Sequence, residues 1–211
     1  EVVDALLGGP DGDTANTAIL WSIRLPMTLT CVFVGGSLSL AGLQIQTITN
    51  NALASPYTLG ITASASFGAA IAITLGLSVA GYLWIGTALL ALVFALAVSL
   101  LIFYLGRLKG MSTSTLILSG IIMNFFFQAL QQYLQYRASP EIAQIISGWT
   151  FGNLQRSSWM SVVVSGCLLV MGAALLSGWS WRLTVLTTGE ERARSLGINV
   201  ERLRLHVFLI C

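Results

Sequence analysis

From Tyr57 to Gly106 the chain contains no Asp, Glu, Lys, Arg or His. A soluble domain wets its surface with charge, about a quarter of its residues. A stretch this long with none must therefore face lipid or other buried helices. One membrane span needs ~20 apolar residues to cross ~30 Å of hydrocarbon, so the stretch is long enough for two. The whole chain follows the same pattern, at 55% hydrophobic and only 9% charged residues. An open strand would leave backbone groups unsatisfied in lipid, so the spans are read as helices. The sequence predicts an all-α fold, a polytopic transmembrane helical bundle forming one domain over residues 1–211.

Five spans are expected near residues 25–47, 58–79, 82–105, 115–136 and 159–179, with a truncated sixth from about 205. The chain opens in a polar segment and stops at Val207–Cys211 within a new apolar run, which reads as a fragment of a longer subunit. Gly76, Gly81 and the cluster Tyr82-Leu83-Trp84 mark a tight hairpin between the second and third spans. Gly35, Gly36, Gly42, Ala63, Ala65, Gly68, Ala69 and Ala70 are small residues of the kind that let helix backbones approach closely in lipid.

Loop charge predicts orientation. One side carries seven basic residues, Arg107, Lys109, Arg182, Arg192, Arg194, Arg202 and Arg204. The other carries three, Arg24, Arg137 and Arg156, together with Glu1, Asp4, Asp11, Asp13 and Glu141. The positive-inside rule makes the first side cytoplasmic. A net charge of +2 is too small to suggest nucleic acid as a partner.

No catalytic constellation is present. His206 is the lone histidine and sits near a span boundary, where a solvated or packed role is expected. Cys31, Cys167 and Cys211 have no metal-ligand spacing and are expected to be buried packing residues. Neither a metal site nor a phosphate-binding loop can be read, so the chain is not expected to hydrolyse ATP or to bind a cofactor itself. The predicted spans hold no ionisable residue of the kind that ion-coupled carriers use. If the chain transports, its energy is expected to enter from outside the membrane. A secondary carrier or channel on the same scaffold is the alternative.

Three segments carry polar patterning. Asn124, Gln128, Gln131 and Gln135 recur at steps of four, three and four, one face of the fourth span, with Gln132 alongside. Amides in lipid need partners, so this face either bonds another helix or lines a pathway for polar cargo. In the outer loop, Ser139 and Pro140 signal a helix start. Ile142, Ile145 and Ile146 share a face there, predicting a short helix on the membrane surface. In the inner loop, Thr188 and Glu191 have capping-box spacing and Glu190 precedes Arg194 by four. Gly197 fits a left-handed helix stop, and Asn199 fits the cap of a second short helix at 200–204.

These residues resemble the FecCD-type permeases of binding-protein-dependent ABC importers, which take up iron-siderophores, haem and cobalamin. The likeness rests on Ile23-Arg24-Leu25-Pro26, Gly42 through Gln46, Asn51 through Pro56, Leu59-Gly60-Ile61, Leu118 through Ile121 and, above all, Gly189 through Val200. It implies a multi-pass subunit of a prokaryotic plasma or inner membrane with ten spans, of which this chain supplies the second through sixth. It also implies a homodimer or a heterodimer with a paralogue, two cytoplasmic ATPase subunits that use the ATP, and an extracytoplasmic substrate-binding protein. The resemblance assigns ATPase coupling to Gly189, Glu190, Glu191, Arg192, Arg194, Ser195, Leu196, Gly197 and Asn199. Docking of the binding protein falls to Arg24, with Glu141 on the same side. Met27 stands where the family has a second arginine, and Ala52 where it has proline after Asn51.

Overall fold

The computed structural model describes residues 15–79, 81–109 and 112–211. Glu1, Asp4, Asp11 and Asp13, counted above in the charge bias, lie outside the described residues. Apart from an isolated bridge between Val79 and Tyr82, the regular structure of the described residues is helical. The chain divides into two compact units, one of Glu1–Leu40 with Gly152–Ser177 and the other of Ala41–Phe151 with Gly178–Cys211.

Helix α1 (Ala15–Ile19) passes through a π turn (Leu20–Arg24) into α2 (Leu25–Thr49), of which residues 25–40 belong to the first unit and 41–49 to the second. Pro26 causes the π turn: it cannot donate to the carbonyl four residues back, and its ring crowds that turn. Widening relieves the clash, and Leu25 N–H bonds Leu20 O five residues back. The predicted first span therefore begins inside a longer apolar helix, Thr17–Thr49. Helix α7 (Trp159–Ser177) lies against α2, with Gly166 against the Phe33 ring and Gly36 against Leu169. At its start Trp159 Nε1 donates to Trp21 O at 3.2 Å, and the two indole rings are 6.2 Å apart. Cys31 and Cys167 are exposed and Cys211 half-buried, correcting the expectation of burial. An apolar run in a membrane helix supplies a lipid-facing surface as well as a packed one.

The second unit is built around α3 (Ile61–Thr74), which packs on α4 (Leu83–Leu108), α5 (Thr113–Arg137) and α6 (Pro140–Phe151). At 1.5 Å per residue α3 is only about 21 Å long, shorter than the span expected over 58–79. Its neighbours compensate by burying Ala63, Ser64, Ser66, Gly68, Ala69, Ala70 and Ala72. Irregular backbone at membrane depth is tolerated where protein covers it or its groups are internally bonded. The segment leading into α3 meets that condition: Ser55 N–H donates to Thr58 Oγ1 (2.8 Å), Thr58 N–H to Ser55 Oγ (3.1 Å), and Gln46 Nε2 to Ala52 O (2.8 Å). Phe67, Phe94 and Phe127 join α3, α4 and α5, with rings 5.4–6.3 Å apart. The expected hairpin is present, Val79 and Tyr82 exchanging backbone bonds while Gly81 takes φ +82°.

The inner segment holds α8 (Ser180–Thr187), α9 (Glu190–Ser195) and α10 (Val200–Ile210). Two short helices were expected here and the sixth span from 205. Instead α8 precedes them, and the last helix starts at Val200 and runs on without a break, packing against α4. Among the described residues, four helices are long and apolar enough to cross a membrane, and side chains on them such as Val32, Val93, Phe125 and Val170 are exposed.

Candidate functional site

The amide stripe of α5 is brought onto a cavity of about 360 Å³. Gln128, Gln131, Gln132 and Gln135 line it with Tyr57, Thr62, Ser66, Ser147 and Thr150. Asn124 is not in this lining; its Oδ1 accepts from Gln128 Nε2 at 3.0 Å. The stripe also bonds another helix: Gln131 Nε2 donates to Thr150 Oγ1 (2.8 Å) and Gln135 Nε2 to Ser147 Oγ (3.2 Å), both on α6. The amides that fix α6 therefore also face the cavity. Among the described residues, the lining carries hydroxyls and amides and no charged side chain. It can exchange hydrogen bonds with a polar solute without trapping it in an ion pair.

Helix α6 forms where a short helix was expected, and its apolar face packs against protein. Its Ile146 is 1% exposed, buried with Ala70 and Ile73 of α3 and packed by Leu134 and Ile142, while Ile145 points out. The Ile142–Ile146 face proved to be a packing face because a helix hydrogen-bonded antiparallel to α5 meets α3. Ser139 accepts from Ile142 N–H at 3.4 Å, a weak cap. Glu141, exposed in the first turn, is held below the usual carboxylate range by its own backbone N–H and the Ser139 hydroxyl. In the other unit Arg24 closes the π turn and is exposed, so it belongs to a helix rather than to a loop before one.

The inner segment forms a tied foot. Glu190 accepts from Arg194 Nη2 at 2.7 Å through Oε1, the expected pair. Gly197 takes φ +79°, the left-handed stop expected of it, and Asn199 Oδ1 accepts from Arg202 N–H at 3.0 Å, capping α10. The capping box is absent. Thr188 ends α8, its hydroxyl donating to Val185 O (2.8 Å), and Gly189 at φ +121° stands at the start of α9 with no side-chain cap. Formation of α8 draws Thr188 into its last turn and so removes the capping oxygen. Glu191, Arg192, Ser195 and Leu196 are exposed on or beside α9.

Arg204 was read only as a loop charge, yet it is 2% exposed. Its Nε donates to Ile48 O at 3.0 Å and its Nη2 to Glu190 Oε2 at 3.1 Å. Ile48 lies in the last turn of α2, where carbonyls lack helical partners and the dipole favours a cation. One guanidinium therefore ties α9 to the end of α2. Helical spacing held the signal, since Val200, Leu203, Arg204 and Val207 share a face and are all buried.

Comparison with known proteins extends this geometry. A candidate ABC transporter permease of Methanocaldococcus jannaschii is 34% identical over 218 residues, covering 100% of this chain and 62% of the relative. The molybdate import system permease protein MolB of Haemophilus influenzae is 31% identical, covering 93% of this chain and 58% of the relative. A solved structure of a candidate metal-chelate type ABC transporter, in an inward-facing conformation, superposes with a TM-score of 0.81 at 29% identity, over 99% of this chain and 67% of that one. The chain thus spans less than two thirds of the length of these two relatives. The profile of the FecCD transport family matches residues 1–211, and the chain belongs to that family.

Proposed function

We propose that the chain is part of the permease subunit of an ATP-driven importer, with the glutamine-lined cavity on the route of a polar, metal-bearing cargo. The observation that carries this is a cavity lined by amides and hydroxyls, with no charge among the described residues, in a FecCD chain. An iron-siderophore or similar chelate is the proposed cargo, supported by the likeness to a metal-chelate type transporter. The relative named for molybdate marks cargo as the property that differs between members. The chain forms one permease domain of a multi-pass subunit in a prokaryotic plasma membrane, paired with a second permease copy or a paralogue. Two ATPase subunits engage residues 189–199, and an extracytoplasmic binding protein docks where Arg24 and Glu141 lie.

Orientation is tested first. In intact cells, in a background lacking native cysteines, Glu141→Cys is expected to react with an impermeant thiol reagent and Lys109→Cys to be silent. Labelling of Lys109→Cys from outside would invert the assignment. For Arg24, a charge at an interface rim governs encounter rate and salt dependence more than affinity. Arg24→Glu in reconstituted full-length subunit should slow binding-protein association most at low salt, and unchanged kinetics leave it only an anchor.

The coupling proposal is tested in proteoliposomes holding the full-length subunit, ATPase and binding protein. Uptake is expected to require ATP and to survive collapse of ion gradients. Gly197→Val places a β-branched residue at φ +79°, and Glu190→Lys sets a cation beside Arg194 and Arg204. Both are expected to leave insertion intact and to lower uptake per ATP hydrolysed. Unaltered coupling in both would reduce the foot to a linker.

A further inference from the structure

A second cavity, of about 560 Å³, opens between α8 and α10, away from the glutamine stripe. Its walls include Trp179, Trp181, Arg182, Asn199, Arg202 and His206 and, among the described residues, no carboxylate. The ion pairs of the neighbouring segment join Glu190 to Arg194 and Arg204, and Glu201 to Arg107. Among the described residues, Arg182 and Arg202 therefore pair with no carboxylate. His206 lies with its ring 4.8 Å from that of Trp179, and its Nδ1 is 2.6 Å from Arg202 O. That contact makes Nδ1 the protonated nitrogen, because a carbonyl can only accept.

We propose that this cavity binds the phosphate of an anionic phospholipid headgroup. Two guanidinium forks without acidic partners are the donors that phosphate oxygens match. Trp179 and Trp181 follow directly on α7, an apolar helix of spanning length, and indoles gather where hydrocarbon meets water. Trp181 is 74% exposed and offers its ring to acyl chains beside the mouth. A soluble phosphate would use the arginines but gain nothing from the two indoles, and this favours the lipid. The α10 N-terminus adds partial positive charge beside Asn199. The inference requires a membrane subunit but not transport, so its failure and that of the importer reading are separable.

The test is native mass spectrometry of delipidated full-length subunit offered phosphatidylglycerol or phosphatidylcholine. Each basic residue facing an anionic leaflet is worth about a fivefold preference, so Arg182→Gln with Arg202→Gln should lower retained phosphatidylglycerol by about thirtyfold. Phosphatidylcholine retention should not move. Arg107→Gln with Lys109→Gln removes the same charge from residues that do not line the cavity, and should lower phosphatidylglycerol retention clearly less than the Arg182 and Arg202 pair does. Equal losses in the two double variants would mean diffuse attraction and overturn the site. Displacement of phosphatidylglycerol by inorganic phosphate as effectively as by added phosphatidylglycerol would make it a soluble-anion site and overturn the headgroup assignment. Since Arg182 and Arg202 are exposed, a matched melting temperature for parent and variant in phosphatidylcholine is expected and separates binding from folding.

Discussion

Arg204→Met is expected to lower the stability of the full-length subunit by about 3 kcal/mol, measured by thermal melting in detergent. The substitution keeps the length of the stem and removes the guanidinium that serves Ile48 O and Glu190. Hydrogen bonds to charged groups are worth about 1.5–3 kcal/mol, and a buried carbonyl left bare costs about 1–3 kcal/mol. Glu190 is partly exposed and retains Arg194, so the penalty of an unpaired buried carboxylate does not apply in full. Arg107→Met is the contrast. Its partner Glu201 is 3.9 Å away and both side chains are exposed, which limits the loss to ~1 kcal/mol or less. Arg204→Lys should recover only part of the stability, because a single ammonium cannot reproduce the planar fork that reaches two acceptors. A double-variant cycle with Glu190→Gln isolates the pair: coupling below ~0.5 kcal/mol would mean the tie is not cooperative. Equal melting of Arg204→Met and Arg107→Met would remove the strut altogether.

How far these features could be read from the chain depends on whether their cause is local. The glycine stop at Gly197, the cap at Asn199 and the Glu190–Arg194 pair each depend on residues within one turn, and each is present. The amide stripe was legible because α5 repeats every three to four residues. Its partners Ser147 and Thr150 were not, since no local pattern states which helix an amide will meet. Helix α3 was expected to be of full spanning length because hydropathy cannot distinguish apolar helix from the bonded turns that flank it. The capping box failed because the competing structure, α8, lies on the other side of Thr188. Arg204 was placed with the solvated charges because composition counts a cation without knowing that the end of another helix waits for it. Tertiary context overrode local preference in each miss, and the two largest, Arg204 and α6, both join segments by a contact that the linear pattern does not contain.

Glycine substitutions separate those two kinds of cause within one protein. Gly60 and Gly197 take nearly the same left-handed backbone, φ +73° and φ +79°. An alanine at either position pays the L-residue strain of roughly 1–2 kcal/mol. Their surroundings differ. A Cβ at Gly197 meets nothing within 4 Å, whereas one at Gly60 would lie 2.6 Å from the Asn124 backbone nitrogen and 3.0 Å from Gly120 O. The contact is mutual: a Cβ on Gly120 would lie 2.7 Å from Leu59 Cα. Neither side can yield, because both obstacles are backbone, and the segment entering α3 would have to move off α5. Overpacking adds about 1–3 kcal/mol, so Gly60→Ala is expected to cost about 2–5 kcal/mol and Gly197→Ala about 1–2 kcal/mol. Gly120→Ala has no left-handed strain to pay and gains helix propensity, so any destabilisation it shows reports the close approach alone. Melting of the three full-length variants in one detergent gives the order. If Gly60→Ala and Gly197→Ala lose the same stability, and Gly120→Ala loses none, the backbone contact between α5 and the start of α3 is not what holds this short helix in place.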